Sequence, residues 1–145
     1  MIGLRLAAVL LSALPWLRVL PGAPVWFGQL VDLTFFPLCH HWAGRVLVLG
    51  GEAMCVCSRC AGLYAGLALG FLLPAPKLRD HVYARLFAFA LAAALLDVVT
   101  QDAGLHAPFH PVRLATGVAL GWSTAAWMIR ATSPSRRSPR SWQLG

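Results

Sequence analysis

Charge is what this sequence has least of. Asp, Glu, Lys and Arg make up only 12% of its 145 residues, and just 5 residues are acidic. A soluble domain carries about 25% charged residues. With 59% hydrophobic residues and a mean hydropathy of +0.68, the chain is expected to reside in a membrane. Catalytic signatures are missing as well. It contains no GxxxxGK[ST] loop, no G-x-S-x-G elbow and no H-E-x-x-H, which removes the usual sequence warrants for nucleotide hydrolysis, serine hydrolysis and zinc-peptidase chemistry. No break in composition divides the chain, so residues 1–132 are expected to form one transmembrane domain followed by a tail. The net charge of +7 does not point to nucleic acid. Its basic residues stand in loops and tails between apolar runs, whereas a nucleic-acid reader gathers them on a folded face with stacking aromatics.

What the sequence has in abundance is apolar runs. Residues 4–20, 57–73, 82–101 and 111–129 each approach the roughly 20 residues needed to cross a bilayer, giving an expected all-α bundle of about four transmembrane helices. Pro74 and Pro76 stop the second run, and Pro111 suits the first turn of the fourth helix. The second run is short, so it either starts earlier, near Ala53, or ends in a thin or protein-covered site. No A-x-A cleavage site follows the first run, which is therefore expected to be retained rather than removed as a signal peptide. Residues 25–36 are too short to span and contain Asp32; they are expected to be interfacial or re-entrant.

Basic residues write the topology. Arg5, Lys77, Arg79, Arg85, Arg130, Arg136, Arg137 and Arg140 fall on one side, and Arg18, Arg45, Arg59 and Arg113 on the other, with Asp32, Glu52, Asp97 and Asp102. Cytoplasmic loops keep the basic excess, so both termini are expected in the cytoplasm of an inner-membrane protein. The tail, 133–145, is rich in Ser, Pro and Arg, and is expected to be disordered and to touch anionic lipid.

This topology gathers the unusual polar residues at one end: Cys57, Arg59 and Cys60, then Asp97 and Gln101, then Arg113, with Cys39, His40, His41 and Arg45 from the preceding loop. Asp97 and Gln101, four apart, share a helix side, and Arg113 is the expected partner of Asp97. An intramembrane acid is a functional candidate by default, and a structural ion pair is the equal alternative. Gly62, Gly66 and Gly70, and likewise Gly117 and Gly121, recur every fourth position and form close-packing stripes. Those stripes could also serve a homo-oligomer or another membrane protein.

Cys57 and Cys60 form a C-x-x-C pair at the start of a helix, a setting that suits either metal binding or dithiol–disulfide cycling. With Cys39 they supply three soft ligands for zinc or iron. His40, His41, Cys55 or solvent is left to complete the set, a closed site being structural and an open one catalytic. The redox reading is similar to membrane thiol-quinone oxidoreductases, but the second cysteine pair of those enzymes is missing here. The last loop has only His106 and His110, which Pro108 and Pro111 separate from helical chelation and leave as loop residues. A Cys39–Cys55 bridge could replace the missing pair. A static disulfide, or simply buried thiols, is the bland reading.

Taken together, Cys39, His40 and Arg45, then Cys57, Arg59, Cys60, Gly62, Tyr64 and Gly66, then Asp97 and Gln101, then Arg113 and Gly117 resemble one pattern. It is that of a family of small predicted membrane proteins called domain of unknown function 2085, from Cys39 to about Gly121. The resemblance implies a single recurring constellation with Cys55 outside it, and it implies no activity. The chain departs from the pattern at His41, Val46 and Ala61, where Gln, Ser and Thr are expected. The expected site is thus a zinc centre of Cys39, Cys57, Cys60 and His40 at the extracytoplasmic face. Arg45, Arg59, Tyr64, Asp97, Gln101 and Arg113 would surround it, and Asp97, Gln101 and Arg113 are the candidates for contact with a substrate. A quinone-linked oxidoreductase and a non-enzymatic scaffold are the alternatives.

Overall fold

The computed structural model describes residues 2–39, 43–73 and 79–132. Five helices and one hairpin follow in chain order: α1 (Ile2–Leu17), α2 (Val25–Phe35), a 3-10 turn (Ala43–Arg45), β1 (Val46–Leu49), β2 (Glu52–Cys57), α3 (Ser58–Leu72), α4 (Asp80–Asp102) and α5 (His110–Thr132). The architecture is mostly helical, as expected, but not all-α.

The hairpin is the main departure. Val48 faces Ala53 and Leu49 faces Glu52 in an antiparallel pair closed by Gly50 and Gly51. Both glycines have positive φ, 62° and 89°. A two-residue turn of that hand matches the twist of its strands and demands residues without a Cβ. The register then slips before Val46 meets Cys57, a bulge that leaves Met54, Cys55 and Val56 buried in succession. The expected second span therefore divides. Cys57 ends a strand, and the helix begins only at Ser58.

Four transmembrane helices are not supported. Among the described residues only α4 is long and apolar enough to cross a bilayer, with a mean hydropathy of 1.9 over its most apolar window. Only 17% of that window is buried, so its apolar side chains point outward. At 15 residues α3 reaches about 22 Å, short of the roughly 30 Å hydrocarbon core. α1 has 16 residues, and α5, though 23 long, carries Arg113, Arg130 and several hydroxyl side chains. α2 is an 11-residue helix where an interfacial segment was expected. Gly104, with φ of 73°, follows α4 and donates its N–H to the Gln101 carbonyl at 3.0 Å, the left-handed stop that helix ends favour.

Helices α3 and α5 run parallel in close contact. A Cβ on Gly62 would strike the carbonyl of Leu114, one on Gly66 that of Val118, and one on Gly70 the Cβ of Ala125 at 2.6 Å. From the other side, Gly117 and Gly121 meet the carbonyls of Arg59 and Leu63. The two glycine stripes thus face each other within one chain. Within the chain each backbone fills the groove that the other's glycines leave.

Candidate metal centre

A small core at one end of the molecule holds the cysteines. Val31 and Phe35 of α2, Met54 and Val56 of β2 and Ala61 of α3 are buried together, with Trp16 and Tyr64 packed against them. Trp16 donates its indole N–H to the Ala61 carbonyl at 3.2 Å, which docks the end of α1 on the start of α3. Arg18 grips Asp32 through two hydrogen bonds, 2.7 and 3.1 Å, and its third nitrogen lies 3.6 Å from Glu52. One guanidinium thereby ties α1, α2 and the hairpin together. Sequence reasoning missed this clamp because its partners are distant in the chain.

Cys39 follows the last turn of α2, where its N–H bonds to the Phe35 carbonyl at 3.2 Å. Cys57 ends β2 with extended backbone and stands as N-cap of α3, and Cys60 lies in the first turn of that helix. The three sulfur atoms lie within 4.8 Å of one another. Sulfurs around a tetrahedral zinc stand about 3.8 Å apart, given Zn–S bonds of about 2.3 Å, so the group needs only a small contraction to hold one ion. Cys39 Sγ also accepts a hydrogen bond from the Cys57 backbone N–H, 3.2 Å. Such a bond favours the thiolate form that a metal requires.

All four cysteines are free thiols. Hydrogen bonds from Cys39 and Cys60 hold the Cys57 thiol far below its usual range, and Arg113 adds attraction. The hydrogen bond shared with Cys57 is the largest cause that raises Cys39. Cys55 is 2% exposed and stands apart from the group, its thiol pushed up to about 11, chiefly by burial. The expected ligand His40, and His41 beside it, lie outside the described residues.

The surrounding residues divide. Tyr64 packs edge-on against Phe35, ring centroids 5.1 Å apart, beside the cysteines. Asp97 is 91% buried and pairs directly with Arg59, and Arg113 Nε lies 3.8 Å from the same carboxylate oxygen. Arg113 was the expected partner of Asp97; the structure brings both Arg59 and Arg113 to the same carboxylate, Arg59 the nearer. Arg45 binds Asp102 at 2.7 Å and so anchors the 3-10 turn to the end of α4 rather than the cysteines. Gln101 is half-buried one turn beyond Asp97. His106 is a loop residue, its ring held by Thr100 at 2.8 Å and the Ala107 carbonyl at 2.9 Å. His110 is not: it opens α5 one turn before Arg113. Ser58, fully buried beside Arg59, is a site residue that sequence reasoning passed over, since a serine at a helix start reads as an ordinary cap.

The described residues thus define a mostly helical protein with one outward-facing apolar helix, long enough to cross a membrane, and three clustered thiols at one end. The chain belongs to the DUF2085 family of predicted membrane proteins, whose model matches residues 39–127. It is similar to an uncharacterised protein of Methanocaldococcus jannaschii, 29% identical over 96 residues. That match covers 63% of this chain and spans 62% of the relative's length. No solved structure matches.

Proposed function

We propose that this chain is a membrane protein that binds a transition metal, zinc before iron, through Cys39, Cys57 and Cys60, with His40 as the fourth ligand. The observation that carries the reading is the mutual approach of three thiols within 4.8 Å from three separate positions: the end of α2, the end of β2 and the first turn of α3. Three thiolates from segments so arranged suit a soft or borderline cation. Arg59, Asp97, Gln101 and Arg113 then form the polar surround of the centre, on the side where a substrate would enter.

In this reading α4 crosses the inner membrane with Asp80 toward the cytoplasm, beside Arg79, Arg85 and Arg130, and the cysteines lie at the extracytoplasmic end. Trp16 meets Ala61 at the cysteine end, so α1 begins at the opposite end, where α5 also finishes.

Metal content of the full chain purified in detergent tests the proposal, measured with a thiol count under denaturing conditions for wild type and Cys60→Ser. About one zinc or iron per chain, lost in the variant, supports it. No metal, with two thiols recovered only after reduction, would replace it with the quinone-linked thiol-disulfide reading.

A further inference from the structure

Beside the cysteines stands a second group that the metal does not explain. Arg113 is 2% exposed, yet its Nε and Nη1 lack hydrogen-bond partners, and Arg59 Nε, Ser58 Oγ, Gln101 Oε1 and His110 Nδ1 are likewise buried and unpartnered. Orphaned buried polar atoms are few in native proteins, each costing about 1–3 kcal/mol. Six in one locality call for a ligand. Their parents come from the starts of α3 and α5 and the end of α4, the three ends that Asp97 joins through Arg59 and Arg113.

The chemistry of the group defines its occupant. Two guanidiniums face one carboxylate, and α3 and α5 run parallel, so both helix N-termini add positive potential at the same place. Three guanidinium N–H groups without a hydrogen-bond partner suit the acceptor oxygens of an anion. Gln101 Oε1 accepts from a hydroxyl and, with the amide turned over, the NH2 donates to an oxygen; His110 Nδ1 and Ser58 Oγ are equally two-sided. An ionised carboxylate only accepts, whereas hydrogen phosphate offers several acceptor oxygens and a P–OH donor, and a phosphate monoester offers three acceptor oxygens for the guanidiniums. Gln101 and His110, at the loop between α4 and α5, are half-buried and stand at the outer edge of the group.

We infer that Arg59, Gln101, His110 and Arg113, with Ser58, form a binding site for a phosphate-class oxyanion next to the thiol group, on a free phosphate or on a lipid headgroup. The site stands on the unpartnered donors and does not require a metal on the cysteines.

Calorimetric titration of inorganic phosphate into the detergent-purified full chain tests it, for wild type, Arg113→Gln and Gln101→Glu, with the metal content of each sample measured alongside. Gln101→Glu is the informative variant, since it keeps the shape of a half-buried side chain and sets a carboxylate against the anion. Saturable binding at one site, weakened about tenfold or more by Gln101→Glu at unchanged helix content, supports a site for free phosphate. A melting temperature raised by nanodiscs containing phosphatidic acid, but not by phosphatidylcholine alone, and insensitive in Gln101→Glu, supports the headgroup. If neither phosphate nor phosphatidic acid gives a signal that Gln101→Glu reduces, the inference falls, whatever the metal content shows. Loss of metal with phosphate binding intact would instead remove the metal reading alone.

Discussion

At the scale of single residues, the four cysteines are not equivalent. Cys55 is buried in apolar surroundings with its thiol raised to about 11, so at pH 8 it stays protonated and unreactive. Mild alkylation of the native, metal-free protein is expected to label Cys57 well before Cys55, as peptide mapping by mass spectrometry would read. Cys55→Ala is expected to leave metal content unchanged. Asp97→Asn is expected to cost about 3 kcal/mol, because it leaves two buried guanidiniums without their shared carboxylate. Thermal unfolding in detergent measures that loss. These residues were legible in the sequence for a chemical reason: Cys, Asp and Arg are rare in an apolar chain, so each stands out. Their pairings were less so. Arg59 was named as a member of the constellation but not as the partner of Asp97, since the direction of a side chain at a helix start follows from packing that spacing alone does not express.

At the scale of elements, the glycine stripes were read as packing surfaces and are; which helix each would meet was not stated by their spacing. Gly66→Ala and Gly121→Ala each place a Cβ against backbone that cannot move aside, and are expected to destabilise by about 1–3 kcal/mol. Gly28→Ala in α2 is the control, since its Cβ meets only Arg18 Cγ at 4.0 Å. That change is expected to be neutral or stabilising by up to about 1 kcal/mol, through lost chain entropy and better helix propensity. Unfolding midpoints of the three variants separate these outcomes. The hairpin was the element not foreseen. Its Gly50-Gly51 turn is a recognised signal, but the bulge buries Met54, Cys55 and Val56 in a row and so erases the alternation by which a strand is known. An unbroken apolar run that ends in a helix reads as part of that helix.

At the scale of the whole molecule, charge and apolar surface are divided between the ends and the sides. Arg18 pairs with Asp32 and Glu52, Arg45 with Asp102, and Arg59 and Arg113 with Asp97, so the four arginines and four acids assigned by sequence to one side do find one another. Meanwhile α4 turns Phe89, Leu95, Leu96 and Val99 outward and lines its inner side with Ala90 and Ala94. That is the reverse of a water-facing helix, and it agrees with a family of predicted membrane proteins. Phe89 is 77% exposed near the middle of α4; Phe89→Arg is expected to cost about 3 kcal/mol of insertion and to reduce the share of protein recovered in the membrane fraction. The number of spans was overread because apolar composition persists where helices are too short or too polar to cross. Length became visible only with the boundaries of α1 and α3.

The central claim is that three cysteines hold one metal, and X-ray absorption at the metal edge of the purified chain tests it most directly. Three sulfur scatterers at about 2.3 Å are expected around zinc, with the sulfur shell preserved in Cys55→Ala and, in Cys57→Ser, reduced to two or lost together with the metal. A metal surrounded only by nitrogen and oxygen, or a sulfur shell indifferent to Cys57, would contradict the account.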